Sequence, residues 1–146
     1  MTGTRHRRWW RLCGALAGMA VTVAACGGGP SATGTTTAPQ ARPSSTGHLT
    51  LVSPTQGEVF AIGTVPVKVT LAGAKIVAVT STNLKPNEGH LHLSLDNKVV
   101  SMNYQADTMI HDVTPGTHVV RVEFVATDHA PFDPRVFVEV TITVQP

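Results

Sequence analysis

The run Gly89-His90-Leu91-His92-Leu93-Ser94-Leu95-Asp96 sets two imidazoles two residues apart in an alternating segment. In an extended chain such residues share a face. His90 and His92 therefore point one way, with Ser94 and Asp96 continuing the same face, while Leu91, Leu93 and Leu95 point toward a core. Two imidazoles so placed could chelate one metal ion, and histidine suits zinc, copper, iron and nickel. Further donors follow along the chain: Met102, Met109, His111, His118, and His129 beside Asp128. Thioether plus imidazole is a combination that Cu(I) favours. These residues make a candidate site for copper or zinc from His90, His92, His111, His118, His129, Met102 and Met109. Ser94, Asp96 and Asp128 make a candidate binding surface. A plainer reading stays open beside it. A strand face of His, Ser and Asp is an ordinary solvated surface, His118 after Pro115-Gly116-Thr117 can bond a neighbouring carbonyl, and His129 can order its own loop. Methionines are more often core filler than ligands. Neither paired cysteines nor His-Glu-x-x-His occurs.

Catalytic chemistry has weaker support. Ser94 and Ser101 fall on expected strands without a nucleophile-elbow sequence. Asp107 and Asp112 lie near turns, where solvated acids are the rule. There is no glycine-rich phosphate loop, and a domain of this size leaves little volume for a buried pocket. The expectation is a protein that is not an enzyme and needs no cofactor, with a bound copper or zinc ion as the alternative.

Cys26 carries a different chemistry. It closes Val23-Ala24-Ala25-Cys26 at the end of the apolar run Leu12 to Ala25, behind Arg5, Arg7, Arg8 and Arg11. This is the pattern of a lipoprotein signal peptide with its lipobox. The run is shorter than the roughly 20 apolar residues that span a bilayer, and its basic flank suits a cleaved export signal. The small residues admit a peptidase, and the thiol forms the thioether that carries diacylglycerol. Residues 1–25 are then a signal peptide. Cys26 is a lipidated first residue anchored to the outer face of the cell membrane. Arg7-Arg8-Trp9-Trp10-Arg11-Leu12 matches the twin-arginine motif in part, so both that route and the general one remain open.

Cleavage at Cys26 changes the charge. Removing the four signal arginines from 11 Lys and Arg leaves 7 against 9 Asp and Glu, a formal charge of −2 in place of +2. The basic character belongs to the signal, and a nucleic-acid partner is not expected. Cys13 leaves as well, so no disulfide can form within the mature chain, even in an oxidising compartment. Gly27 to Gly47 is Gly, Thr, Ser, Pro and Ala with only Gln40 and Arg42 besides. With nothing to build a core, the segment 26–47 reads as a flexible tether that spans about 25 Å root-mean-square.

Residues 48–146 are the size of one domain and read as all-β. Thr64 to Leu71, His90 to Asp96, His118 to Ala126 and Val136 to Val144 alternate with period two. Val65, Val67 and Val69, then Val120, Val122 and Phe124, then Val136, Val138, Val140, Ile142 and Val144 fall on inward faces. Weaker strands are expected at Leu49 to Val52, Lys75 to Thr80, Val99 to Tyr104 and Thr108 to Val113. Turn residues separate them at Pro54 to Gly57, Pro86 to Gly89, Asp96-Asn97 and Pro115-Gly116. Seven or eight short strands in about 100 residues point to an immunoglobulin-like Greek-key sandwich.

Three segments together carry a resemblance: Gly89 to Asp96, Pro115-Gly116-Thr117-His118-Val119-Val120-Arg121-Val122, and Asp128-His129-Ala130-Pro131-Phe132. Over residues 50 to 145 the chain resembles a group of secreted bacterial β-sandwich domains with a Gly-His-x-His-Leu strand, a Pro-Gly-x-His turn and a late His-x-Pro. Leu91 stands where many of those domains have a third histidine. The resemblance implies the fold and an envelope location and carries no activity. The leading expectation is a membrane-anchored envelope lipoprotein whose Ig-like domain acts through binding or assembly with an envelope protein or ligand. The alternative is an envelope copper or zinc binding protein that uses the His90/His92 face.

Overall fold

The computed structural model describes residues 41–146, so the signal segment, Cys26 and most of the tether lie outside the described residues. Among the described residues nine strands form two sheets. In the first, β1 (His48–Ser53), β3 (Gly63–Ala72) and β7 (Asp107–Val113) run antiparallel in the order β1-β3-β7. In the second, β2 (Val59–Ala61), β9 (Pro131–Gln145), β8 (Gly116–Ala126) and β5 (Glu88–Leu95) follow one another. The free side of β5 pairs with the short β4 (Lys75–Ile76) and with β6 (Lys98–Asn103). Leaving out the short β2 and β4, the first, second and fifth strands make one sheet and the remaining four make the other. That is the arrangement of an immunoglobulin-like sandwich of the fibronectin III type.

Period-two alternation builds the core. Val65, Val67 and Val69 of β3, Leu91 and Leu93 of β5, Val120, Val122 and Phe124 of β8, and Ile142 and Val144 of β9 are all at most 2% exposed. Each such side chain contributes about 1.5–3 kcal/mol by leaving water. The Asp96-Asn97 corner between β5 and β6 has both residues at positive φ (51° and 67°). This is the backbone that a tight two-residue hairpin requires.

Three departures from the sequence reading bear on the candidate site. The strand expected over Lys75 to Thr80 stops at Ile76. Val77 still donates to the Gly89 carbonyl (2.7 Å). Ser81 then turns to Thr127, its N–H donating to the Thr127 carbonyl (3.0 Å) and its own carbonyl accepting from Thr127 Oγ1 (2.9 Å). Long-range partners in the β8–β9 turn therefore override the local β propensity of Val77-Ala78-Val79. The strand Val59–Ala61 is an addition, because its three apolar residues are too few to show a period and are ordered only by parallel pairing with Thr143–Gln145. Contacts with the sandwich begin before His48, within the segment expected to be a tether. Thr46 donates through its N–H to the Pro86 carbonyl (2.9 Å) and through its hydroxyl to the Gly73 carbonyl (2.7 Å), and the Asp133 N–H donates to the Pro43 carbonyl (3.1 Å).

Candidate metal centre

Gly89 opens the site. A side chain there would put its Cβ 2.0 Å from the Val125 carbonyl oxygen and 3.0 Å from the Phe124 ring. Only glycine lets β5 lie this close to β8. The pairing that follows sets His90 opposite Val125 and His92 opposite Glu123 on β8, and His92 opposite Met102 on β6. With Leu91 and Leu93 in the core, His90 and His92 occupy the opposite face of the sheet.

That face is not the solvated surface that its polar residues suggest at this end. His90 is fully buried. Its ring lies 5.1 Å from that of His92, 5.4 Å from that of Tyr104 and 4.5 Å from that of His129, centroid to centroid. His129 arrives from the turn between β8 and β9. Its N–H donates to the Ala126 carbonyl (3.0 Å), the Ala126 N–H donates to the Ala130 carbonyl (3.0 Å), and its φ is 66°. Histidine is one of the few non-glycine residues enriched in this left-handed conformation. The turn carries the imidazole back over β5, where Nε2 stands 3.2 Å from Thr80 Oγ1.

His90, His92 and His129 can each offer one ring nitrogen such that all three lie within 4.8 Å of one another. The Nε2 atoms of His90 and His92 are 3.2 Å apart. Two nitrogens on one tetrahedral zinc, at about 2.0–2.1 Å each, are separated by about 3.3 Å. The His90/His92 pair thus already has chelating separation, and His129 would close by at most about 1.5 Å, within reach of a side-chain rotation. His90 is buried while His92 and His129 are half-buried, so an ion could enter from solvent. Among the described residues, His90 Nδ1 and His129 Nδ1 are buried without a hydrogen-bond partner. An unsatisfied buried polar atom costs about 1–3 kcal/mol.

The electrostatics favour the neutral, ligating form. Burial pushes the His90 imidazole down to about 4, and the neighbouring His129 and His92 push the same way against Asp128. Burial, then His129, also lowers His92, with Glu123 opposing. Glu123 is itself engaged, with Arg135 Nε donating to its Oε1 at 2.7 Å.

The other candidates stand elsewhere. His111 and Met109 are exposed on β7, in the opposite sheet, and take no part in the cluster. His118 forms a latch of its own. Its Nδ1 is 2.8 Å from Asp96 Oδ2, its Nε2 donates to the Thr114 carbonyl (2.9 Å), and Asp96 Oδ1 accepts the Val119 N–H (2.9 Å). It fastens the β5–β6 corner to the start of β8. Ser94 is buried on β5 opposite Arg121. Asp128 pairs with Arg42. Met102 remains beside the cluster, exposed and across from His92. Tyr104, Thr80 and Arg42 are not singled out by the sequence as site residues. Arg42 had one signal, as the only charged residue between the signal arginines and Glu58.

No family model and no curated protein matches this sequence. Among solved structures the chain is similar to the fibronectin(III)-like modules of CbhA from Clostridium thermocellum, with a TM-score of 0.45 and 16% identity over 66% of this chain and 93% of that one. It is also similar to the PKD domain of human KIAA0319, with a TM-score of 0.44 and 14% identity over 77% of this chain and 93% of that one.

Proposed function

We propose that this protein is an envelope lipoprotein whose Ig-like domain binds one zinc or copper ion through His90, His92 and His129, held to the outer face of the cell membrane through Cys26. The observation that carries the reading is the convergence of three imidazoles from two elements that are distant in sequence. Buried ring nitrogens without partners are rare, and His129 Nδ1 is one that an ion held by the Nε2 atoms of His90 and His92 would use. The depressed His90 and His92 add support, because a ligand that is already neutral at pH 7 loses no affinity to proton competition. An all-nitrogen set suits Zn(II) and Cu(II), and Met102 across the strand from His92 offers a soft donor for Cu(I). In this reading the domain is a binding module and not an enzyme. An interacting envelope protein or ligand would meet the metal at its half-buried side.

The test is calorimetric titration of the full chain in detergent with Zn(II), Cu(II) and Cu(I), each against a competing chelator. One ion per chain should bind with Kd below about 1 μM, and the His90→Ala/His92→Ala variant should lose it. Binding weaker than this for all three ions, or the same affinity in a folded double variant, refutes the metal reading. Radiolabelled lipid incorporated into wild type but not into Cys26→Ser tests the anchor.

A further inference from the structure

His129 is the ligand that the strand pattern does not supply. It depends on the four-residue turn 127–130 between β8 and β9, and that turn is gripped from outside by a residue of the tether. Arg42 Nη1 and Nη2 donate to the two carboxylate oxygens of Asp128, the second at 3.0 Å. Nη2 also donates to the Ala130 carbonyl (2.8 Å), and Nε donates to the Pro131 carbonyl (2.8 Å). One guanidinium thus holds the residue before His129 and the two residues after it. Asp128 transmits the grip inward, since its Oδ1 accepts the Ala130 N–H (3.1 Å) across the turn. The pair is about three-quarters buried, with side chains 27% and 24% exposed.

We infer that Arg42 is the positioning residue for His129, so that the tether completes the metal site. This rests on the metal reading above. A turn with a non-glycine residue in the left-handed region is held by the contacts around it, and here the side-chain contacts on both flanks of His129, at Asp128, Ala130 and Pro131, come from a segment 86 residues away in sequence. Arg42 touches none of the three imidazoles through a hydrogen bond and acts through the backbone at 128–131. Only arginine has the planar fork of donors for this task. Lysine keeps the charge but cannot bind a carboxylate and two carbonyls in one plane. A chain starting at His48 would contain every ligand and still lack this fastening.

The experiment uses the full chain in detergent, with Arg42→Ala, Arg42→Lys, His129→Ala and the Arg42→Ala/His129→Ala double variant, each checked for folding by melting. Zn(II) affinity is read by chelator competition. Arg42→Ala should weaken binding about 10- to 100-fold, the range for a residue that orients a ligand, and Arg42→Lys should fall between it and wild type. The double variant should bind no more weakly than His129→Ala alone, because Arg42 has nothing to position once the imidazole is gone. Multiplying losses, or an Arg42→Ala chain that folds and binds like wild type, would overturn the inference. A metal-free measurement separates it from the metal reading. The ring-proton contact between His129 and His90 by NMR should be present in wild type and lost in Arg42→Ala and weakened in Arg42→Lys. If wild type binds no ion, the metal reading fails on its own, while a contact retained in both Arg42 variants refutes the positioning role.

Discussion

Acidification should weaken the metal-free domain through His90 before the carboxylates titrate. His90 is fully buried, and its imidazole is pushed from 6.5 down to about 4, first by burial and then by His129 and His92. Around it stand His92 on the same strand, His129 and Asp128 in the β8–β9 turn, Tyr104 after β6 and Glu123 on β8 beside His92. Below pH 6.5 the unfolded chain takes up a proton that the folded chain refuses. Stability is therefore full above 6.5, falls as pH drops, and levels off near 4. For one group moved this far, the loss between pH 7.5 and pH 5 is about 2 kcal/mol, rising to about 3 kcal/mol at pH 4. That is a large share of the roughly 5–15 kcal/mol that holds a domain together. The depressed His92 adds in the same direction. Urea unfolding of the chain in chelator at pH 7.5 and pH 5 reads the difference. His90→Leu, which removes the titrating group from a buried site, should reduce it by most of that amount. Equal stabilities at the two pH values, or an unchanged difference in a folded His90→Leu chain, would refute the reasoning.

Two further outcomes follow from the same geometry. Gly89→Ala should destabilise the fold by about 1–3 kcal/mol in urea unfolding, because its Cβ would meet the Val125 carbonyl at 2.0 Å. An alanine variant as stable as wild type would show that β5 and β8 have room to part. The His118–Asp96 latch should act in a defined pH window. The hydrogen bond to Asp96 raises His118 above 6.5, and the same bond lowers Asp96 below 3.8. The latch therefore contributes fully between these values, and fades as pH rises through the elevated His118 value or falls through the depressed Asp96 value. The melting-temperature difference between wild type and His118→Gln should shrink from about pH 6 to about pH 8.5, and a difference that stays constant over this range would refute the assignment.

The two histidines on β5 and the third in the turn were legible to different degrees. Side chains alternate along any extended chain, so Leu91 and Leu93 inward required His90 and His92 to share the other face. The same rule placed the valines of β3, β8 and β9 in the core and made the sandwich readable. Nothing local separates His129 from His111 or His118 as the third imidazole of the cluster. That choice depends on which strands pair. β5 lies against β8, whose following turn folds back over it, while β7 carries His111 and Met109 into the other sheet. The proposed lipid anchor at Cys26 rests on the sequence alone. The burial of His90, the close approach at Gly89 and the reach of Arg42 to Asp128 rest on tertiary structure alone. Local periodicity determines which way a side chain faces, whereas long-range pairing determines what it meets there.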